Sequence, residues 1–568
     1  MRLKTLCVLV VSTLTIIPSC SNRTKVGGTL TIYSNEVIAS LDPAIITDRY
    51  SGIVAKSVYE GLYAYHYLKH TITPSLAESM PEHLGDFKYK IKLRNDVYFA
   101  DDPCFKKTNG KGRKLVAEDF IYSLKRLLSS PTNTSAVIIT TDIVDGAVEF
   151  KKNLSKDIKG ITAPDDTTLI IQLKKFSSFF PDVFALVNTF IVPKEAVDFY
   201  GDAFAKHPIG TGAFYLSENI APTQYILKKN NYYYGTYPTE GDINDEQNGL
   251  LNYKGVKLPL VDKVIIKVIN EDKVRWESFK KEEIDIVTMD KDSYFDAFTV
   301  SNDLNKTFKD KKVKVHKITE LDIKYIGFNM SDPKVSKNKY LRQAISLAYD
   351  GYKHAALFYN NQALVASWLL PPGLFGFDPE YKNPYRIYSV DKAKELLKKA
   401  GYPKGIGAPT LTLFTTDSMA AKQIGETFAK AMEEIGLTIK IQQFDYAAFL
   451  KRMSLKTGYQ LATLQWRADL PFAEDFLRLL YGKAASPGPN RSLFNDPQYN
   501  SMYEEILTLR DSPEKIELIN KIRTLAVEEC PVIPLVVPYR LVLTQGYIRN
   551  YKGTALDDYD LKYLGLDK

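Results

Sequence analysis

The chain contains little histidine, tryptophan or cysteine: 6 His, 3 Trp and 4 Cys occur among 568 residues. This gives a His-based metal enzyme few available ligands. The formal charge of +8 is small beside 75 basic and 67 acidic residues and is not clustered, so the charge does not indicate a nucleic-acid-binding protein. With 45% hydrophobic and 25% charged residues, the composition is that of a soluble globular protein, and the length suggests about two to four domains.

Long apolar runs are also missing after the first twenty residues, so no permanent transmembrane helix is predicted there. The apolar run Leu6–Ile17 follows Arg2 and Lys4 and has the length of a signal-peptide core. Behind it, Ile17-Pro18-Ser19-Cys20 resembles the bacterial lipobox. We therefore expect residues 1–19 to be removed and Cys20 to receive lipid, which anchors the protein to a membrane on the extracytoplasmic, periplasmic side of a bacterial envelope. The alternative is an ordinary secretory signal and a freely soluble product.

Two cysteines remain once Cys7 leaves with the signal and Cys20 carries lipid. Cys104 lies in a polar segment and Cys530 precedes an apolar run, so we expect two free thiols, although an exported protein allows a disulfide. The apolar run Pro531–Leu543 contains three prolines and an arginine, which favours an interior strand over a membrane span.

Hydrophobic periodicity predicts a mixed α/β chain without internal repeats or low-complexity linkers. Strands are predicted at Thr29–Ser34, Tyr89–Leu93, Thr168–Leu173, Val264–Ile269, Lys324–Asn329, Leu411–Thr415, Leu437–Gln442 and Gln460–Gln465. Helices are predicted at Val116–Leu128, Tyr340–Tyr349, Ser389–Ala400, Met419–Ile435 and Pro513–Glu528.

The sequence contains few candidate catalytic or cofactor-binding motifs. The chain has no dinucleotide or phosphate-binding glycine loop, nucleophile elbow or zinc-binding helix, so neither an enzyme nor a cofactor is indicated. His66 and His70 are spaced for one helix face, but a solvated segment is favoured over a metal site. The acidic spacing from Asp242 to Glu246 is similar to a calcium loop, yet Gln247 stands where such a loop requires glycine.

Several stretches, in this order and spacing, resemble the extracytoplasmic solute-binding proteins of peptide and nickel ABC transporters, the oligopeptide- and dipeptide-binding family. The stretches are Leu41-Asp42-Pro43, Val58–Leu62, Pro74–Ser79, Ala117–Ser123, Pro208–Phe214, Leu341–Ile345, Ala393–Leu397 and Pro531–Leu535. The resemblance extends from about Gly28 to Tyr551.

The resemblance implies a two-lobed periplasmic-binding-protein-like α/β fold of class II, with an extra N-terminal subdomain and two hinge crossings. After a tether at 20–27, the segments 28–66, 189–322 and 538–568 form lobe I. The extra subdomain covers 67–188 and lobe II covers 323–537. The crossings are expected near Ile323–Asn329 and Val532–Tyr539.

The same resemblance implies a peptide site between the lobes. Asp469 falls where the family binds the ligand's α-ammonium group, and the backbone of Gln465, Trp466 and Arg467 is expected to pair with the ligand from lobe II. The loop formed by Thr47, Asp48, Arg49 and Tyr50 is expected to do so from lobe I, and Tyr446 to form a pocket wall. Arg467 could pair with the ligand's C-terminal carboxylate or could neutralise Asp469.

The function that the resemblance implies is binding without catalysis. A monomer, without cofactor, metal or nucleic acid, captures a peptide and delivers it to an ABC permease driven by cytoplasmic ATPases. Within the same fold the cargo could instead be a nickel chelate, haem or an oligosaccharide. The remaining alternatives are an exported lipoprotein enzyme and an envelope-interaction protein that does not serve transport.

Overall fold

The computed structural model describes residues 26–132, 134–486, 488–555 and 559–568, so the expected signal peptide and Cys20 lie outside the described residues. The strands are β1 Thr29–Ser34, β2 Tyr63–Tyr65, β3 Ile72–Pro74, β4 Glu82–Gly85, β5 Lys88–Lys92, β6 Ile161–Asp165, β7 Thr168–Gln172, β8 Phe214–Ile220, β9 Gln224–Lys229, β10 Lys263–Val268, β11 Ile286–Thr288, β12 Lys314–Thr319, β13 Asp322–Phe328, β14 Ala363–Val365, β15 Leu411–Thr416, β16 Ile439–Phe444, β17 Leu461–Arg467, β18 Val532–Thr544, β19 Ile548–Arg549 and β20 Gly565–Leu566. The helices are α1 Arg49–Val58, α2 Ala117–Ser129, α3 Ser135–Ile143, α4 Ala147–Lys151, α5 Phe180–Val183, α6 Lys194–Tyr200, α7 Ile243–Gln247, α8 Asp272–Lys280, α9 Tyr294–Ala297, α10 Lys306–Asp310, α11 Pro333–Ser336, α12 Lys339–Leu347, α13 Gly351–Tyr359, α14 Val390–Lys399, α15 Met419–Glu433, α16 Tyr446–Ser454, α17 Ala473–Leu477, α18 Pro497–Ile506 and α19 Pro513–Glu529.

The first sheet has the strand order β1-β10-β9-β8, with β1 parallel to β10 and the other pairs antiparallel. Alternate side chains of its two parallel strands, Leu30 and Ile32 on β1 and Val264 and Ile266 on β10, are buried. This period of two is that of strands that turn one face to a core. A separate antiparallel sheet, β4-β5-β7-β6, lies in the segment predicted to be the extra subdomain.

The largest sheet has the order β11-β18-β13-β17-β15-β16, and β12 and β14 also pair with β18. Every residue of β18 except Tyr539 is buried, which confirms the prediction of an interior strand. Its first half pairs with β13 and its second half, from Tyr539 onward, pairs with β12. Pro534 lies where the register with β13 shifts, since a proline in a strand is tolerated at a bulge.

Buried apolar side chains form separate clusters on the two sides of this shared strand. One cluster contains core residues of the first sheet, of the β4–β7 sheet and of the C-terminal segment, and two further clusters are built from residues between 321 and 537. Leu470 is an exception, because it follows β17 yet packs in the first cluster. The lobe boundaries predicted above stay predictions.

The structure corrects the expected loop at residues 47–50 and shows what the acidic spacing from Asp242 forms. Arg49 and Tyr50 do not belong to a loop: they begin α1, and Asp48 caps it by accepting a hydrogen bond from the backbone N–H of Ser51 at 2.8 Å. The acidic spacing from Asp242 is a helix-capping box, in which the Asp242 and Asp245 carboxylates accept each other's backbone N–H. It does not form a calcium loop.

Cys104 and Cys530 are buried free thiols, as predicted. In the described part of the chain, no helix combines the length and apolar character needed to cross a bilayer.

Candidate functional site

A cleft of about 610 Å³ is lined by segments that lie far apart in the sequence. Its walls are the end of α1 with β2 and β3, the turn around α5, Leu321 before β13, the loops 372–373 and 471–472, and the C-terminal segments 552–555 and 559–562. Small-ligand sites are concave spaces of roughly 300–1,000 Å³ that often lie between domains. This cleft is therefore the candidate binding site.

Aromatic side chains cover much of the cleft wall. Tyr63 and Tyr65 come from β2, Phe190 follows α5, and Phe472 lies in the loop after β17. The ring of Phe472 also contacts Phe179, with 5.7 Å between ring centroids. Such rings offer a large contact area at a small entropy cost. Because ring contacts are largely non-directional, this wall does not select one ligand sequence.

Two carboxylates of the wall have strong partners inside the protein. Glu60 accepts hydrogen bonds from Thr211 Oγ1 and Tyr234 Oη, each at 2.9 Å. Asp560 Oδ2 lies 3.0 Å from Lys562 Nζ. These groups are satisfied without a ligand.

A third carboxylate, Asp182 on α5, has a different environment. Its Oδ1 accepts a hydrogen bond from Tyr65 Oη at 2.9 Å, and its side chain is buried against the cleft. Burial raises the pKa of Asp182 to about 6, and the hydrogen bond from Tyr65 opposes this rise. Among the described residues no charge of a Lys, Arg or His contributes to this pKa.

Asp469, the expected ammonium anchor, lies two residues before the lining residues Pro471 and Phe472. Its Oδ2 accepts hydrogen bonds from Ser135 Oγ at 2.5 Å and from Arg478 Nη2 at 2.9 Å. The Asp469 side chain remains 31% exposed. The bond to Ser135 links the loop after β17 to α3.

Asp475 holds this loop in place. Its Oδ2 accepts hydrogen bonds from Trp466 Nε1 at 3.0 Å and from the backbone N–H of Asp469 at 2.9 Å. Burial raises the pKa of Asp475 to about 7; Arg478 opposes the rise and Asp469 adds to it. The guanidinium of Arg478 lies 5.1 Å from the ring centroid of Trp466. Trp466 is therefore part of the network that orients Asp469.

Gln465 and Arg467 lie on β17 opposite β13. The register pairs Gln465 with Lys324 and Arg467 with Asp322, and Lys324 Nζ donates to Gln465 Oε1 at 2.7 Å. The cation that forms an ion pair with Asp469 is Arg478, which the sequence analysis missed.

One edge of β17 extends beyond its neighbour. On one side β13 pairs with the strand from Leu461 to Arg467. On the other side β15 pairs only with Leu461 and Ala462. Within the described ranges, the ladder continues no further along this edge, so the backbone of Thr463–Trp466 presents an edge on the side where β15 has ended.

The residues expected from lobe I are not lining residues of the cleft. Asp48 caps α1, and the ring of Tyr50 contacts that of Tyr33 at 6.2 Å between centroids. Burial raises the pKa of the cleft residue Tyr559, and the charge of Arg49 opposes this rise, so Arg49 lies close to the wall.

Tyr446 lies at the start of α16 and is 63% exposed. None of the eight residues expected at the ligand, all of them described, is itself a lining residue of the cleft. The lining residues Tyr63, Tyr65 and Asp182 were missed: the content of 37 Tyr was the only signal for the two tyrosines, and nothing in the sequence pointed to Asp182.

His66 and His70 line the cleft but do not share a helix face. His66 Nδ1 accepts the backbone N–H of Lys69 at 3.1 Å in a tight turn, and His70 has a φ of 55°. Across the described residues, no three His, Cys, Asp or Glu side chains come close enough to hold a metal ion.

The fold and the cleft define a two-lobed α/β binding protein, and comparison with known proteins gives its family. The family described as bacterial extracellular solute-binding proteins, family 5 (middle) matches residues 71–488, so the chain belongs to that family. Its members are solute-binding proteins, not enzymes.

Individual relatives agree with this assignment. The chain is 24% identical over 539 residues to the glutathione-binding protein GsiB of Escherichia coli O6:K15:H31, with 92% of each chain covered. The structure of DppA from Helicobacter pylori in complex with the peptide STSA superposes with a TM-score of 0.74 at 24% identity, covering 96% of this chain and 99% of that one. The Escherichia coli murein tripeptide binding protein MppA superposes with a TM-score of 0.73 at 22% identity, with coverage of 96% and 99%. These structures share the class II two-lobed fold that the sequence predicts.

Proposed function

We propose that this protein captures oligopeptides or dipeptides outside the cytoplasmic membrane and delivers them to an ABC permease for import. Family membership makes it a solute-binding protein. Peptides are supported as the cargo by the names of relatives that bind glutathione and dipeptides and by the peptide bound to the Helicobacter pylori protein.

The observation that carries the proposal is the edge of β17 beyond Ala462. An extended peptide can add to such an edge as a further strand, with main-chain hydrogen bonds giving affinity. Because main-chain pairing reads no side chain, the site accepts many sequences. The edge leads into the loop that supplies Pro471 and Phe472 to the cleft wall.

Asp469 is proposed to bind the peptide's α-ammonium group. Both of its side-chain contacts use Oδ2, and Ser135 is a neutral partner that a ligand can replace. An ammonium group forms short charge-assisted hydrogen bonds with a carboxylate, which are stronger than the bond from a hydroxyl. Arg467 is proposed to meet the C-terminal carboxylate of short peptides.

Ligand binding then closes the lobes by a population shift, since the ligand contacts both walls only in the closed state. The lipid on Cys20 is proposed to hold the protein at the membrane as a monomer, near the permease and its cytoplasmic ATPases. This part rests on the N-terminal sequence and on the family.

Thermal melting with a peptide mixture tests the proposal. A ligand at about 100 times its Kd stabilises the folded state by about 2.7 kcal/mol, which raises the melting temperature by a few degrees. Asp469→Ala is expected to weaken peptide binding by about 30-fold to several thousand-fold, because removing one member of a buried charge pair costs about 2–5 kcal/mol. The exposed Asp310→Asn serves as the matched control.

A shift with a nickel chelate, haem or an oligosaccharide, and none with peptides, would contradict the assigned cargo. Unchanged peptide affinity in Asp469→Ala would remove Asp469 from the site while leaving the function in place.

A further inference from the structure

Asp182 is held rigidly in the cleft wall. It belongs to α5, and its neighbours Phe180 and Val183 are buried in the apolar cluster beneath. Tyr65 Oη fixes Oδ1 of the carboxylate at 2.9 Å. Because its helix is packed on the core and its Oδ1 is hydrogen-bonded, the carboxylate keeps its direction before a ligand binds, which lowers the entropy cost of binding.

The charge of Asp182 has no counter-ion in the described part of the chain. The neighbouring wall carboxylates differ, because Glu60 accepts several hydroxyl hydrogen bonds and Asp560 pairs with Lys562. The cleft lysine Lys552 pairs with Asp245. Asp182 is therefore the wall carboxylate whose only partners in the described part of the chain are neutral donors, the Tyr65 hydroxyl and its own backbone N–H.

An ionised carboxylate that is buried and unpaired is costly, and a cation supplied by a ligand offsets that cost. Burial raises the pKa of Asp182 to about 6, because the buried surroundings solvate the charged carboxylate less well than water does. A cation in the cleft would favour the ionised form.

The surroundings of Asp182 suit a cation on a long apolar stem. Tyr63, Tyr65 and Phe190 line the same cleft. Aromatic faces attract ammonium and guanidinium groups and also cover the methylene groups of a lysine or arginine side chain.

We infer that Asp182 and Tyr65 form a subsite that binds a basic side chain, lysine or arginine, of the peptide in the cleft. This inference rests on the proposed peptide-binding function and adds a side-chain preference to it. It is separate from the proposed role of Asp469, which concerns the peptide's α-ammonium group.

The test compares two tripeptides, Ala-Lys-Ala and Ala-norleucine-Ala, which differ in the charge at the end of one side chain. Their Kd values are measured by calorimetry for the wild type, for Asp182→Asn and for the exposed control Asp310→Asn. The wild type and the control are expected to prefer the lysine peptide by about 30-fold or more, the loss typical of removing one member of a buried charge pair. Asp182→Asn is expected to bind the two peptides with similar affinity.

Binding of the norleucine peptide shows in the same experiment that Asp182→Asn is folded. Equal affinity of the wild type for the two peptides would overturn the inference and leave the proposed function intact. An Asp182→Asn variant that loses the same affinity for the lysine and the norleucine peptide would do the same. If N-acetylation of the peptide removes the effect of Asp182→Asn, the subsite holds the α-ammonium group and the inference is overturned. A wild type that binds neither peptide overturns the proposed function as well.

Discussion

Replacing Asp182 by Asn should stabilise the unliganded protein at neutral pH. The wild-type carboxylate is buried and has only Tyr65 as a side-chain partner. Asn has the same shape and can accept the same hydrogen bond, but it never carries a charge. The variant therefore removes the desolvation cost and little else.

The size of the effect follows from the pKa. A rise from 3.8 to about 6 corresponds to about 3 kcal/mol of unfavourable free energy when the group is ionised. Below pH 3.8 the group is protonated in both the folded and the unfolded state, so it contributes no cost. As the pH rises towards about 6, the unfolded chain releases a proton that the folded chain retains, so wild-type stability falls. Above that pH the full cost is present.

The assay compares the melting temperatures of the wild type and Asp182→Asn at pH 4 and pH 7.5 without ligand. Using the difference between the two proteins cancels the titration of other cleft groups such as His66 and His70. We expect the variant to gain several degrees at pH 7.5 and little at pH 4. An equal difference at both pH values would refute the argument that burial governs the pKa of Asp182.

Two further variants test the packing around the cleft. Leu470 follows β17 but is buried in the apolar cluster that contains core residues of the first sheet. Leu470→Ala, a change that costs about 2–5 kcal/mol in a core, should favour open forms and enlarge the radius of gyration in small-angle scattering; an unchanged radius would contradict a role in closure. Lys515 Nζ lies 2.6 Å from Glu474 Oε1 with both side chains buried, so Lys515→Met should lower the free energy of unfolding by about 3–5 kcal/mol. Adding Glu474→Gln to it should recover much of the loss, and no recovery would show that the charge left on Glu474 is not the cause.

The sequence alone was enough to predict the positions of strands and helices that have a clear hydrophobic periodicity. β1 was predicted at Thr29–Ser34 and observed there, and α19 was predicted to within one residue of its end at Glu529. The run after Pro531 was assigned correctly to an interior strand because prolines exclude a long helix. These features depend on residues close together in the chain.

The site depended on contacts between distant residues and was predicted only in part. Asp182 lies in a helix of four residues, too short to give a periodic pattern, and its partner Tyr65 is 117 positions away. Arg478 and Asp475 pair with residues after β17 only because α17 folds back on that loop. The start of α1 could have been found, since Asp48 is a good N-cap residue.

Mass spectrometry of the ligand retained by the full chain through purification tests the central claim most directly. The account predicts that denaturing the purified protein releases short peptides, enriched in those with a lysine or arginine, and that Asp469→Ala retains far less of them. Release of haem, a metal chelate or a sugar in place of peptides would contradict it.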